Sequence, residues 1–488
     1  MKNLNQVQVE VLSMNRLLSN ASFHLALDNY QRPYVWKEDK ITQLLQDLET
    51  FAKPNVASHD YYMGTLLLHR NEEKERLYVI DGQQRLTSLF VLHNHLFNRL
   101  PENSAFEYRS ALSIKNIQAA NTLLNNSDLS KIPDNIFDRL LFTVITVELE
   151  DLAFTFFDTQ NNRGVPLAAT DLLKAFHLRA VNDTDAQKSE ILQKHCARRW
   201  EVMQVRGEDG KKQNDFAPEL FHHYLWRARN WTGQKVIERE SHDDVLHTFQ
   251  AQSVAGNEAA RVPLYPGINN RLAGALTLQI NDHFKLHLQE LDLNNHAAKL
   301  PFSLRQPIHQ GVGFFLYAEK YAAVLKELLH TDQPQGEVKA FREFYDSVVK
   351  ELSHYLRELY LLATVMYFDQ FGEEGLLRFA LWLDHVLGAI RFEKSYIFKE
   401  APIKYLKESD YNLLDVIAGS FRTEEVIAFL KNDKHVGEVY SGNTVTQIET
   451  GKGVQGRYKH ALEAYYGRDD FTHKHGWITD NIIEERLI

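Results

Sequence analysis

Hydrophobic and polar positions divide the first 180 residues into short runs of two different periods. Tyr61-Tyr62-Met63-Gly64-Thr65-Leu66-Leu67-Leu68 is a nearly unbroken apolar run and reads as a buried strand. The charged turn Asn71-Glu72-Glu73-Lys74-Glu75 ends it, and 76–80 returns as its partner strand. Leu86, Leu89, Phe90, Phe97 and Leu100 then fall at helical spacing, with Pro101 as the stop. An earlier helix is marked by Ile41, Leu44, Leu45 and Leu48. Residues 104–140 read as helices, and 141–149, rich in β-branched side chains, is the most strand-like run of all. Thr170 is a good N-cap for a helix over 171–180.

Beyond about residue 185 the pattern becomes mainly helical and rich in aromatic residues. A looser segment spans roughly 231–270, long helices are expected through 275–400, and a smaller unit follows Pro402. No repeat of fixed period occurs. The expected class is α+β, with an α/β domain over 1–182 that carries a helical insertion. A helical domain over 183–400 and a small C-terminal domain over 401–488 complete the expected organisation.

Composition narrows this picture modestly. A chain of 488 residues is too long for one ordinary core. With 44% hydrophobic and 25% charged residues it has the make-up of a folded globular protein. The net charge of −10 argues against a globally basic nucleic-acid coat, and a local basic groove remains compatible with it. A single cysteine, Cys196, excludes an internal disulfide and any multi-cysteine zinc site. The N-terminus has no apolar signal core, and the longest apolar stretch, 375–392, is interrupted by Arg378, Asp384 and Arg391. A cytoplasmic protein without a membrane span is the expectation.

The chemistry concentrates at Val79-Ile80-Asp81-Gly82-Gln83-Gln84-Arg85-Leu86-Thr87. Asp-Gly alone suits a hairpin, but the helical spacing of Leu86, Leu89 and Phe90 puts Gln83, Gln84 and Arg85 in a first helical turn. Unpaired N–H groups there favour an anion, and Arg85 adds a charge-assisted donor. Asp81 is a poor phosphate ligand and suits a metal ion or a water instead. A structural turn is the alternative reading.

Two further blocks accompany this turn: Gln31-Arg32-Pro33-Tyr34-Val35-Trp36, and Phe157 with Asn161-Asn162-Arg163-Gly164-Val165-Pro166-Leu167 followed by Asp171-Leu172-Leu173-Lys174-Ala175. In letters, order and spacing the three blocks resemble the ParB/sulfiredoxin-like domain of GmrS-type proteins, from the GmrSD modification-dependent restriction systems. The resemblance covers about the first 180 residues and extends loosely into the helical middle. It implies a ParB/sulfiredoxin-like N-terminal domain ahead of a large helical region. It also links the Asp-Gly-Gln-Gln-Arg block to nucleotide hydrolysis, nominating Asp81, Gly82, Gln83, Gln84 and Arg85. Arg32, held extended by Pro33, gains a site role from the same resemblance, with Gln31 as a secondary candidate. Tyr34 and Trp36 suit either base stacking or packing, and packing is the favoured reading. Asn161 and Arg163 fit ligand contact or a plain loop equally well. Lys174 reads as solvated or ion-paired. Together Arg32, Arg85 and Arg163 with a helix N-terminus would suit a triphosphate.

Other motifs carry less. The near-match to a phosphate-binding loop at 437–444 has Asn443 where the lysine belongs. Relatives often bear a His-Asn-His-type nuclease, but His435, His460, His473 and His475 lack its neighbours. Residues 194–235 hold nine Lys/Arg against five Asp/Glu, interleaved with Trp200, Phe216, Phe221, Tyr224, Trp226 and Trp231. That suits single-stranded DNA or an amphipathic helix, and the second is favoured, as is a structural role for His222 and His223. The expected function is NTP binding and hydrolysis, with Asp81, Gln84 and Arg85 catalytic and Mg²⁺ as cofactor. DNA, including modified phage DNA, and a nuclease-bearing protein are the expected partners in anti-phage restriction. The rivals are a single-chain nuclease with a metal at Asp81 and a nucleotide-switched DNA-binding module without turnover.

Overall fold

A computed structural model describes residues 7–487 apart from 20–22, 29–30, 53–59, 109, 150–151, 154–167, 205–215, 235, 237–239, 257–259, 266–272, 279–283 and 289–295. The chain divides into two compact units, Met1–Phe216 and Ala217–Ile488.

The first unit is built on a six-stranded mixed sheet. Its strands are β1 (Val7–Ser13), β2 (His24–Ala26), β3 (Tyr61–Asn71), β4 (Arg76–Asp81), β5 (Ser104–Ala105) and β6 (Leu140–Val147), in the order β1-β6-β3-β4-β2-β5. β3 and β4 form the antiparallel hairpin that the apolar runs predict, and β6 lies parallel to β3 in the sheet centre. Leu66, Leu68, Leu77, Val79, Phe142 and Val144 point to one face, where a single core cluster gathers them with residues of the flanking helices. Those helices are α1 (Met14–Leu18), α2 (Glu38–Phe51), α3 (Gln83–Phe97), α4 (Ala111–Asn125) and α5 (Ile136–Arg139), followed by α6 (Ala169–Arg179) and α7 (Ala186–Gln204). In α2, Ile41, Leu44, Leu45 and Leu48 are buried, as their helical spacing requires.

Two boundaries differ from the sequence reading. α3 ends at Phe97, well before Pro101, because Asn98 turns left-handed at φ 52° and closes the helix. α6 begins at Ala169 with Ala168 at its N-cap, so Thr170 lies inside the first turn and is buried. Its hydroxyl has no hydrogen-bond partner.

The second unit is mostly helical, with α8 (Val312–His330), α9 (Gly336–Ser347), α10 (His354–Phe371), α11 (Leu376–Glu393) and α12 (Gly453–Tyr466) as its longest elements. Long helices were expected from 275, yet Ala273–Leu278 and Phe284–Leu288 form an antiparallel two-stranded sheet. The strict alternation Phe284-Lys285-Leu286-His287-Leu288 has the period of a strand, and among the described residues the next α-helix begins at Val312. α11, the long apolar run of the sequence, is buried over nearly its whole length, which accounts for its hydrophobicity. Among the described residues no helix is long and apolar enough to cross a membrane.

Asp384 in the middle of α11 and Lys474 are both fully buried and pair at 2.9 Å. Tyr458 donates to the other carboxylate oxygen at 2.6 Å, and the Lys474 ammonium also bonds the Tyr440 hydroxyl at 3.0 Å. Burial pushes the Lys474 ammonium below its ordinary range, and Asp384 opposes that shift. Removing the carboxylate leaves a buried cation without compensation. Asp384→Ala is expected to destabilise the protein by about 3–5 kcal/mol in urea unfolding. In this variant the folded-state pKa of Lys474 falls further below the unfolded value. Between those two values the unfolded chain binds the extra proton, so the variant's stability should rise with pH. A flat or falling profile would exclude the buried-charge explanation.

Candidate functional site

The turn between β4 and α3 is made possible by one glycine. Gly82 has φ +104°, and a Cβ there would meet Leu66 Cδ2 at 2.2 Å. With Gly82 as N-cap, the helix starts at Gln83 as the sequence spacing predicts. The first N–H groups of this 15-residue helix have no partner within it.

Gln83, Gln84 and Arg85 then point in three directions. Gln84 is buried, and its amide is used on the segment that follows Gln31. Its Oε1 accepts from the backbone N–H groups of Val35 at 2.8 Å and Trp36 at 3.3 Å. Its Nε2 donates to the Pro33 carbonyl at 3.1 Å. Arg85 reaches back over β3, donating to the carbonyls of Met63 at 2.8 Å and Thr65 at 2.6 Å. The ladder with β6 is irregular between Tyr62 and Thr65, so the guanidinium satisfies carbonyls at a break in the sheet. Its Nη2 lies 3.4 Å from Asp81 Oδ2, an ion pair between half-exposed side chains. Gly64 makes room for it, since a Cβ there would meet Arg85 Nη1 at 2.4 Å.

The Gln31–Trp36 block is anchored along its length. Gln31 Nε2 donates to the carbonyls of Val79 at 2.5 Å and Ile80 at 3.1 Å, at the end of β4. Tyr34 is fully buried, and its hydroxyl, pushed up to about 12 by burial, lies 2.8 Å from Ser88 Oγ. The Tyr34 backbone is held by Ser113 and Asn116 of α4, each at 2.8 Å. Trp36 packs half-buried against the same core. Tyr34 therefore takes the packing role, while Trp36 keeps part of its ring exposed. Lys174, 1% exposed on α6, donates to the Gln31 carbonyl at 3.0 Å and lies 3.7 Å from Glu201 of α7. Burial pushes the neighbouring Asp171 carboxyl up, opposed by the charges of Arg32 and Lys174.

Beside this framework lies a cleft of about 790 Å³, and Gln31, Arg32 and Gln83 line it. Asp81, Gly82, Gln84 and Arg85 lie outside its lining, as do Tyr34 and Trp36. Asn161 and Arg163 lie outside the described residues; of the other two arginines, Arg32 lines the cleft and Arg85 is pinned onto β3. The structure adds Lys74, Arg76, Arg179 and Lys194 to the lining, giving five Lys/Arg against four Asp/Glu in a chain of negative net charge. Glu190 takes two of these cations, Lys194 at 2.7 Å and Lys74 at 3.2 Å, and the hydrogen bond from Lys194, then that from Lys74, holds its carboxyl below the usual range. Lys74 sits in the stretch that reads from sequence as a charged turn, and Arg76 opens the partner strand. Lys194 opens the basic stretch 194–235, and nothing local marks Arg179.

Gln83 differs from its neighbours. It is 5% exposed, it lines the cleft at the first turn of α3, and its Oε1 has no hydrogen-bond partner. A buried acceptor left unpaired costs roughly 1–3 kcal/mol, so a hydroxyl, an amine or a bound water placed there would be stabilised.

The motifs of the helical region resolve structurally. Trp200, Phe216, Phe221, Tyr224, Trp226 and Trp231 are all buried and present no stacking surface. His222 and His223 lie in a π-helical turn, Leu220–Trp226, and burial pushes both imidazoles below their ordinary value. In the tail, His473 pairs with Asp470 at 2.8 Å, and no group of three or more His, Cys, Asp or Glu among the described residues is gathered for a metal.

Fold and cleft together define a two-unit α+β protein whose sheet unit carries a charged cleft at a helix start. Residues 14–178 match the model of the GmrSD restriction endonuclease N-terminal domain, so the first unit is a GmrSD-type N-terminal domain. Residues 192–444 match a family of unknown function, DUF7834; this is more than half of the chain, and the chain belongs to that family. No curated protein matches the chain.

The adjacent glutamines are expected to behave oppositely. Gln84→Ala removes three hydrogen bonds and should cost about 1–3 kcal/mol, whereas Gln83→Ala removes an unpaired amide and should stay within about 1 kcal/mol of wild type. Urea unfolding followed by tryptophan fluorescence checks both, and equal losses would contradict the division of roles.

Proposed function

We propose that this protein is the NTP-binding and NTP-hydrolysing component of a modification-dependent restriction system, and that it licenses cleavage by a nuclease-bearing partner. The observation that carries this reading is the buried, unpartnered Gln83 amide oxygen at the start of α3, in a cleft that also holds Arg32 and four other cations. Helix N–H groups and guanidinium or ammonium groups are the donors a polyphosphate needs, and the amide oxygen is the acceptor that a ribose hydroxyl, a base amine or a metal-bound water would satisfy. The match of residues 14–178 to a restriction endonuclease domain supports the biological setting.

The geometry favours a particular allocation of roles. Arg32, Arg76 and Arg179 would take phosphate charge. Gln84 and Arg85 would act as positioning residues, because their polar atoms hold the backbone on either side of the turn. Asp81 would fix Arg85 rather than touch the nucleotide. Mg²⁺ fits as an ion held chiefly by phosphate oxygens, with a cleft carboxylate such as Glu107 completing its shell. When bound it would neutralise charge on the phosphates.

A panel of the four common NTPs, with modified and unmodified DNA, tests the reading. Wild type should release phosphate from at least one NTP. Arg32→Ala should raise KM by roughly tenfold or more, the loss of one charge-assisted contact worth about 1.5–3 kcal/mol. No turnover of any NTP under any of these conditions would overturn hydrolysis, and tight binding without turnover would make the nucleotide a switch ligand. Nicking of plasmid without NTP, lost in Asp81→Ala, would instead establish a nuclease in this chain.

A further inference from the structure

The two edges of the six-stranded sheet are unlike. One is blunted, because β5 has only the two residues Ser104–Ala105. The other is β1, seven residues long, paired to β6 in unbroken register from Val7↔Val147 to Ser13↔Leu141. A long, regular edge strand offers a free row of N–H and C=O groups, and proteins usually guard such an edge with Lys, Pro or a bulge. β1, with the sequence Val-Gln-Val-Glu-Val-Leu-Ser, has no Lys, Pro or bulge, and its one charge is the exposed Glu10. On one face it exposes Val7, Val9 and Val11, the last two by 60% and 59%. Val11 lies opposite Thr143, whose hydroxyl accepts from the largely exposed Tyr62 at 2.9 Å.

We propose that β1 is a dimer interface, pairing antiparallel with β1 of a second copy of this chain to make one continuous sheet. The argument is the self-complementarity of the strand. Directly opposed residues share a face, so valine meets valine only if the two-fold axis passes through a residue. Centred on Val9, the pairing sets Val9 against the partner's Val9, Val7 against the partner's Val11, and Gln8 against the partner's Glu10. Centred on Glu10, it would oppose two carboxylates. Parallel in-register pairing would do the same. The Val9-centred register therefore matches the three valines with one another and puts each carboxylate beside an amide. Gln8 Oε1 already accepts from Arg70 Nη2 at 3.0 Å, which leaves its Nε2 to donate to that carboxylate. Such an isologous contact closes with two copies and leaves β5 as both outer edges.

The test is independent of the nucleotide reading. Sedimentation velocity of the full chain, from roughly 1 to 100 µM, should show a concentration-dependent dimer. Val9→Lys sets two ammonium groups together on the axis and should weaken the dimer at least about tenfold. Register is read by oxidative cross-linking. Val9→Cys should join two chains, while Val7→Cys, facing the partner's Val11, should give little product; the native Cys196 is buried and should not compete. A monomer across the whole range, a dimer unaffected by Val9→Lys, or equal cross-linking at positions 7 and 9 would each overturn the proposal.

Discussion

The first unit depends on how backbone polar groups outside regular ladders are satisfied around Gly82. The segment from Gln31 to Trp36 lies outside any strand or helix, and β3 breaks its register near Gly64. Both would leave carbonyl or N–H groups unpaired in a partly buried setting. Gln84 satisfies the first and Arg85 the second, and both come from one helical turn. Successive residues of an α-helix point about 100° apart, so three consecutive side chains reach three different surroundings. Gln84 goes to that segment, Arg85 to the sheet, and Gln83 to the cleft. The density of polar residues at this turn thus reflects assembly as much as chemistry.

That assembly determines what the cleft can be. Gln31 bonds the end of β4 and is itself bonded by the buried Lys174, which links the segment to α6 and, through Glu201, to α7. Arg32, which lines the cleft, is carried on a segment whose neighbours Gln31 and Pro33–Trp36 are hydrogen-bonded to β4 and α3. Lys74 and Lys194 reach the same space from the β3–β4 hairpin and α7, with Glu190 between them. A polyphosphate entering here would compete with Glu190 for those ammonium groups, which is one way for a cleft of nearly balanced charge to accept an anion.

The helical unit solves a different problem with similar means. Its core buries whole ionic groups, Lys474 with Asp384 and Lys320 with Asp369, and surrounds each with tyrosine hydroxyls or backbone carbonyls. Such pairs add little net stability over an apolar core but penalise any packing that separates them. The described aromatic residues of 217–231 and Arg227 follow the same logic. Their rings fill the interior, and Arg227 bridges Glu240 and Glu358 at 2.7 and 2.8 Å.

The sequence by itself determined the hairpin β3–β4, the start of α3, the strand β6 and the GmrSD-type character of the first unit. These rest on local periodicity, turn chemistry and contiguous motifs, all of which are properties of neighbouring residues. It also marked Gln31, Arg32 and Gln83, which line the cleft. What it did not determine is which way each polar side chain faces. Gln83 and Gln84 are chemically identical and adjacent, yet one is unpaired in the cleft and the other carries three backbone bonds. Arg85 reads as a phosphate ligand until β3 is placed beneath it. Nothing in the sequence marks Lys74, Arg76, Arg179 and Lys194 as cleft residues, because what makes them so is the approach of a hairpin and two later helices. The small strands at 273–288 were missed for a related reason: their alternation is short, and an apolar run of that length fits a helix until a partner strand pairs with it. Direction and neighbourhood are set by long-range packing, and only the tertiary structure holds that information.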